Sequence, residues 1–441
     1  MGLKTPGLLI AAPSSNSGKT LVTLALLRAL NKSGIKAASA KVGPDYIDPG
    51  FHTAASGRDC VNIDPWAMRP ELQFQLKKNI GKKVDIIISE GVMGLYDGAK
   101  DATGATADLA ALFKWPVVMV VDVQGQAASA VASLKGFIEF RSDVEIAGVI
   151  FNKVGSDSHQ AMLSRAMAEY LPDQKVLGYL PRNTDLMMPE RHLGLVQASE
   201  NAELGDFLDR AANWVSDKIN MEGLQAIAAI GQDQLGDVNP AISPIGQRIS
   251  IARDAAFTFC YPSLIAAWRK AGAEINFFSP LDNEMPNKTA DAVYLPGGYP
   301  ELYAGKLATN TNFMSGLQET NKRGAFVFGE CGGYMALGES LTDHDGVCHK
   351  MAGLLPVQTS FMRKKLHLGY RQATLLSDCP FGAKGQKFKG HEFHYANIVN
   401  ESTENRLFSQ CDALGQGIED IGHVRANVCG SYLHLIDHVN D

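Results

Sequence analysis

The chain has 441 residues, a net charge of −6, 45% hydrophobic residues and 20% charged ones. That is chain enough for two or three separately cored domains, and the acidic balance argues against the basic surface of a nucleic-acid binder. No stretch approaches the ~20 apolar residues of a membrane span, and the seven cysteines lack any Cys-x-x-Cys spacing, so they read as reduced thiols of a cytoplasmic protein.

Short apolar runs predict strands at 7–12, 35–42, 84–89, 116–122, 144–151 and 175–180. Amphipathic stretches between and after them predict helices at 18–32, 69–80, 105–113, 126–141, 157–170 and 203–217. Such alternation makes βαβ units and a parallel sheet. Gly231 to Gln247 carries two prolines, three glycines and little periodicity, and reads as an interdomain linker. Beyond it, strands at 249–252, 274–278, 292–295 and 325–328 and helices near 261–271 and 334–341 follow, and 366–434 is richer in strand and loop. The expected organisation is an α/β domain over 1–230, a linker over 231–247 and a second α/β domain over 248–441.

Pro13-Ser14-Ser15-Asn16-Ser17-Gly18-Lys19-Thr20 follows the first strand and opens the first helix. This is a phosphate loop of Walker A layout, with Pro13 where the first glycine is usual. Its backbone N–H groups can surround phosphate oxygens, Lys19 can reach the β- and γ-phosphates, and the Thr20 hydroxyl can hold Mg2+. A Ser/Gly-rich turn that merely caps a helix is the plainer alternative. Asp45 and Asp48 follow the second strand in Gly43-Pro44-Asp45-Tyr46-Ile47-Asp48-Pro49, and Glu90 and Asp97 follow the third in Ser89 to Gly98. Ligands of open α/β sheets bind at the carboxyl ends of strands, so these four acids are candidates for the same site. Asp64 and Asp122 read as structural, and Asn152, just past a strand, reads as a base-edge contact or a turn residue.

In the second half, Ala325-Phe326-Val327-Phe328 runs into Gly329-Glu330-Cys331-Gly332-Gly333, the sequence form of a nucleophile elbow. The start of a helix is expected to favour the Cys331 thiolate. Gly297 and Gly298 end a strand, and their N–H groups, with that of Gly332, are candidate oxyanion donors unless the pair is only a turn. Among the histidines His434 stands out as the base, at the end of Cys429-Gly430-Ser431-Tyr432-Leu433-His434. His391 and His394 lack the spacing of a helical metal motif and read as substrate contacts or structural residues.

The order of these motifs resembles the CobB/CbiA family of corrin a,c-diamide synthases, over nearly the whole chain. Gly43-Pro44-Asp45-Tyr46-Ile47-Asp48-Pro49 is the most specific piece of that likeness. The resemblance implies a dethiobiotin-synthetase-like P-loop domain followed by a class I glutamine amidotransferase domain. It implies ATP and glutamine as cosubstrates, Mg2+ on Thr20, Asp45 and Glu90, and a corrin-type tetrapyrrole acid as substrate. Ser14 to Thr20 and Asn152 would hold the nucleotide, Asp48 and Asp97 would serve the acyl phosphate or the incoming ammonia, and Cys331 with His434 would release that ammonia. Ile436 stands where the wider class has an acid, so a Cys–His dyad is expected. Hydrogenobyrinic acid is the expected substrate, ahead of its cobalt form and of a nickel sirohydrochlorin. No nucleic acid and no membrane is expected, a homodimer is the assembly considered, and a sheltered ammonia path between sites follows from the chemistry. A ParA/MinD-like switch is the competing class, and an intact Cys331 argues against it. Arg363, Lys364, Lys365, His367 and Arg371 read as a solvated basic loop or a carboxylate contact.

Overall fold

The computed structural model describes residues 5–188, 190–191, 194–195, 197–234 and 238–440. The chain forms two units: Met1–Trp66 with Pro70–Val238, and Ala67–Arg69 with Asn239–Asp441. Of the expected linker 231–247, positions 235–237 lie outside the described residues. Gln232 N donates to Phe113 O at 2.8 Å within the first unit, whereas Ile242 and Ile245 are buried in the second. The loss of periodicity there marks a change of unit, yet both ends of the stretch are docked.

The first unit is built on a seven-stranded, wholly parallel sheet. Its spatial order is Val61–Ile63, Ala37–Val42, Ile86–Glu90, Gly7–Ala11, Val117–Asp122, Ile146–Val154 and Val176–Pro181. Gly7–Ala11, Ala37–Val42 and Ile86–Glu90 are buried at every position, which explains why they read as continuous apolar runs. The predicted helices are found at Lys19–Lys32, Pro70–Ile80, Thr106–Phe113, Ala128–Phe140, Asp157–Tyr170 and Leu204–Ser216. Two elements beside the site were not expected. The helix Asp48–Ser56 begins with Pro49 at its first turn and stops at Gly57, too short to show a periodicity. The strand Val61–Ile63 has only three residues.

The second unit centres on a six-stranded sheet ordered Glu274–Phe278, Arg248–Ala252, Ala292–Leu295, Phe326–Glu330, Val428–Ser431 and His423–Arg425. Alternation along the strands divides the core: Val293, Leu295 and Val327 enter one cluster, whereas Ala292, Tyr294 and Phe328 enter another. The second cluster also holds Ala373, Phe388, Phe408 and Leu435 from an antiparallel five-stranded sheet. In that sheet Glu419–Ile421, Phe408–Asp412, His367–Leu375, Lys387–His394 and His434–His438 lie side by side. A smaller four-stranded sheet completes the unit. Among the described residues no helix is long and apolar enough to cross a membrane.

Candidate active site

The phosphate loop leaves the strand Gly7–Ala11 and enters the helix Lys19–Lys32 through Gly18, whose φ of +84° suits glycine. Ser17 Oγ donates to Ser14 O at 2.9 Å, which closes the loop on itself. Ser14, Ser15 and Asn16 are exposed. Asn152 Nδ2 donates to Ser17 O at 2.9 Å and Lys153 Nζ to Asn16 O at 3.2 Å, so the strand Ile146–Val154, two places along the sheet, braces the loop. One N–H of the Asn152 amide is therefore used on the loop backbone. Lys19 is buried and its Nζ donates to Met93 O at 3.1 Å; burial, partly offset by Glu90, lowers its pKa.

Behind the loop lies a buried cluster of charges. Thr20 Oγ1 donates to Glu90 Oε1 at 2.7 Å and lies 3.4 Å from Asp48 Oδ2. Lys41 Nζ donates to Asp48 Oδ2 at 2.6 Å and to Glu90 Oε1 at 2.7 Å, and His52 Nε2 lies 2.7 Å from Glu90 Oε2. Burial alone would depress the Lys41 pKa, but Asp48 and Glu90 drive it upward. Burial likewise opposes ionisation of Glu90, and Lys41 and His52 reverse it, so the carboxylate stays charged.

Sequence reasoning missed Lys41 and His52. A lone lysine inside the apolar run Ala37–Val42 was the available signal, because lysine is almost never buried without a partner. His52 follows Asp48 by four residues, one helical turn along the same face.

The acids divide into two sets. Asp48 and Glu90 share Thr20 and Lys41. Asp45 Oδ1 instead accepts from Ile47 N at 2.8 Å and Asp48 N at 3.0 Å, tying down the entry to the helix Asp48–Ser56. Burial and the charge of Asp48 raise the Asp45 pKa to about 6. Asp97 Oδ2 accepts from Gly94 N at 3.0 Å and shapes the loop whose Leu95 N donates to Ala12 O at 2.9 Å beside the phosphate loop. Asp64 accepts from Trp66 N and Asp122 pairs with Lys153 at 2.6 Å, both structural uses.

Mg2+ takes oxygen donors, one or two carboxylates completed by phosphate and water. Thr20, Glu90 and Asp48 offer such a set, and the Thr20 proton points at Glu90, which leaves its lone pairs available. Among the described residues no group of three or more His, Cys, Asp or Glu side chains could hold a metal ion by itself. An ion carried in on nucleotide phosphates does not need one.

In the second unit Cys331 sits at φ +46° and ψ −101°, the strained turn of an elbow, ahead of the short helix Gly332–Leu337. A Cβ at Gly333 would fall 1.9 Å from Leu295 O, so the turn requires glycine there. Gly332 and Gly298 approach each other closely: a Cβ on Gly332 would lie 3.0 Å from Gly298 N. Gly297 abuts the base, since its Cβ would lie 2.4 Å from His434 Cε1. Cys331 N donates to Ser431 O at 2.8 Å, and His434 begins the next strand three residues on.

Cys331 and His434 are both buried. Burial pushes the Cys331 thiol up, reinforced by Glu301, so the expected thiolate bias of the helix start is outweighed. Burial holds His434 down to about 3, with His391 and His394 adding to it. The resting pair is thus thiol and neutral imidazole, the state in which histidine can accept a proton.

Ile436 is buried and supplies no acid. Glu392, on the neighbouring strand where His391 pairs with His434, acts electrostatically on His434. Arg371 holds Glu392 at 2.7 Å, and His394 stacks on Tyr432 at 3.8 Å. Of the predicted basic stretch, Arg363, Lys364 and Lys365 are exposed, whereas Arg371 joins this group through Glu392 and His367 stacks on His394 with ring centroids 4.7 Å apart.

Residues 8–196 match the CobQ/CobB/MinD/ParA nucleotide binding domain, and residues 248–440 the CobB/CobQ-like glutamine amidotransferase domain. Over 435 residues, 98% of each chain, the sequence is 51% identical to a hydrogenobyrinate a,c-diamide synthase of Brucella anthropi. The chain belongs to the CobB/CbiA family of a,c-diamide synthases. It is 49% identical over 431 residues to the similarly named Rhizobium meliloti protein, covering 98% of this chain and 99% of that one. It is also 48% identical over 435 residues to that of Rhodobacter capsulatus, covering 98% of both. Family membership makes the two sites parts of one glutamine-dependent amide ligase.

Proposed function

We propose that the protein amidates the a and c side-chain carboxylates of hydrogenobyrinic acid, using ATP and glutamine. The observation that carries this reading is 51% identity along essentially the full length of a hydrogenobyrinate a,c-diamide synthase. The phosphate loop and the Cys331 elbow, both intact, support it and weigh against a non-enzymatic switch. Seven free thiols suit a cytoplasmic enzyme.

Cys331 attacks the side-chain amide carbon of glutamine while His434 takes its proton. The tetrahedral oxyanion lies against the N–H groups of Gly298 and Gly332. Collapse passes the proton from His434 to the departing ammonia and leaves a thioester, which water hydrolyses to glutamate. At the P-loop, a substrate carboxylate oxygen attacks the γ-phosphorus, ADP leaves, and an acyl phosphate forms. Ammonia then attacks the acyl carbon and phosphate departs. Lys19 and Lys41 supply positive charge beside the transferring phosphoryl group. Bound on Thr20, Glu90 and Asp48, Mg2+ would neutralise charge on the β- and γ-phosphates. Asp45 and Asp97 act by shaping the two loops that frame the site.

Mass spectrometry of hydrogenobyrinic acid incubated with enzyme, ATP and glutamine tests the reading. Two amidations, each dependent on both cosubstrates, are expected. No mass change in either the metal-free or the cobalt-loaded acid rejects it, and faster turnover of the cobalt form reassigns the substrate.

A further inference from the structure

Glu90 is held from two sides by buried groups. Its Oε1 receives Thr20 and Lys41, both at 2.7 Å, whereas among the described residues its Oε2 faces one hydrogen-bonding group, His52 Nε2 at 2.7 Å. Glu90 and His52 are fully buried, so the bond between them is shielded from bulk water. His52 itself is fixed by its helix, where Ser56 Oγ donates to His52 O at 2.8 Å, and by Cys60 packed beside the ring. Asp48, one turn earlier on the same helix, is the other acid beside Thr20. One nine-residue helix therefore carries both an oxygen donor of the site and the group that orients the second donor.

We propose that His52 is a positioning residue for the metal–nucleotide site: donation from Nε2–H to Glu90 Oε2 turns Oε1 toward Thr20 and the metal. This rests on the reading of Thr20, Glu90 and Asp48 as the Mg2+ donors. Without His52 the carboxylate is held at Oε1 alone, by Thr20 and Lys41, and its plane can tilt about that oxygen. Outer hydrogen bonds of this kind change metal affinity by about 10–100-fold in metalloproteins. His52 is fully buried behind Glu90 and acts through it.

The test is direct Mn2+ binding, read by the loss of the free-ion electron paramagnetic resonance signal in the presence of a non-hydrolysable ATP analogue. Three variants are compared with the full-length native enzyme. His52→Gln keeps an N–H donor at the position of Nε2, His52→Asn is too short to reach Glu90, and His52→Phe keeps the ring without a donor. Mn2+ affinity is expected to fall about 10–100-fold in His52→Asn and His52→Phe and to stay within about threefold of native in His52→Gln. Binding of the analogue in the presence of EDTA and the glutaminase rate should be unchanged in all three. Native-like Mn2+ affinity in His52→Asn or His52→Phe overturns the proposal, as does a loss in His52→Gln equal to theirs. Should only His52→Gln fold, a loss of more than about tenfold in that variant overturns it and native-like affinity supports it. If native enzyme fails to bind Mn2+ with the analogue at all, the reading of the donors is what fails.

Discussion

Gly297→Ala tests the geometry of the glutaminase site most sharply. The added Cβ would lie 2.4 Å from His434 Cε1, 3.3 Å from His434 Nε2 and 3.3 Å from Phe259 Cβ. Ordinary contact needs about 3.4 Å or more, so the imidazole must retreat by about 1 Å. It has little room to do so, being 1% exposed with His391 paired across the strand. A displacement of that size at a catalytic group costs about 100-fold in rate, and overpacking of a filled core costs about 1–3 kcal/mol in stability. The assay is glutamine hydrolysis and ammonia-driven amidation measured on one preparation. Glutaminase kcat is expected to fall about 100-fold while the ammonia-driven reaction keeps its native rate. Glutaminase activity within about threefold of native would refute the placement of His434 against Gly297.

Cys331→Ser should abolish glutaminase activity and leave amidation from ammonium salts intact, as followed by mass spectrometry. Glu301→Gln removes a negative charge that helps hold the Cys331 thiol up, so iodoacetamide should alkylate Cys331 about 3–10 times faster at neutral pH. An unchanged rate excludes that coupling. Lys41→Met leaves Asp48 and Glu90 buried beside each other without their shared cation; loss of about 3–5 kcal/mol is expected in denaturant unfolding, with amidation abolished. His434 has a folded pKa near 3 against an ordinary value near 6.5, so the unfolded chain binds the proton first. Its contribution is present above about pH 6.5 and is lost as pH falls toward 3, by at most about 1.4 kcal/mol per pH unit. Melting temperatures between pH 7 and 4.5 should therefore drop more steeply for the native protein than for His434→Phe, and parallel curves contradict the burial of a neutral imidazole.

Strands buried on both faces announce themselves as apolar runs, so the order of strands and helices in the first unit could be read from residues alone. The elbow and the phosphate loop were readable for a related reason: backbone strain and close approach restrict those positions to glycine. Short elements were not readable. Asp48–Ser56 has about two and a half turns, and Val61–Ile63 owes its place to a partner, with Asn62 Nδ2 donating to Gly43 O at 2.9 Å. The division of labour among the acids was equally hidden. Asp45 and Asp48 occupy one motif, and only the direction of each side chain separates a turn brace from a member of the charge cluster. Lys41 and His52 reach Glu90 across sheet and helix, contacts that no local spacing encodes.

The ladder between Phe326–Glu330 and Val428–Ser431 pairs Glu330 with Ser431, and the nucleophile and the base leave it within three residues of that pair. The two candidate reactive groups are therefore spaced by peptide geometry, as marks are on a ruler. A protein so built depends on that register. What it cannot tolerate is a one-residue slip or insertion between Ser431 and His434, which would move the base by a whole strand step while every catalytic residue was still present.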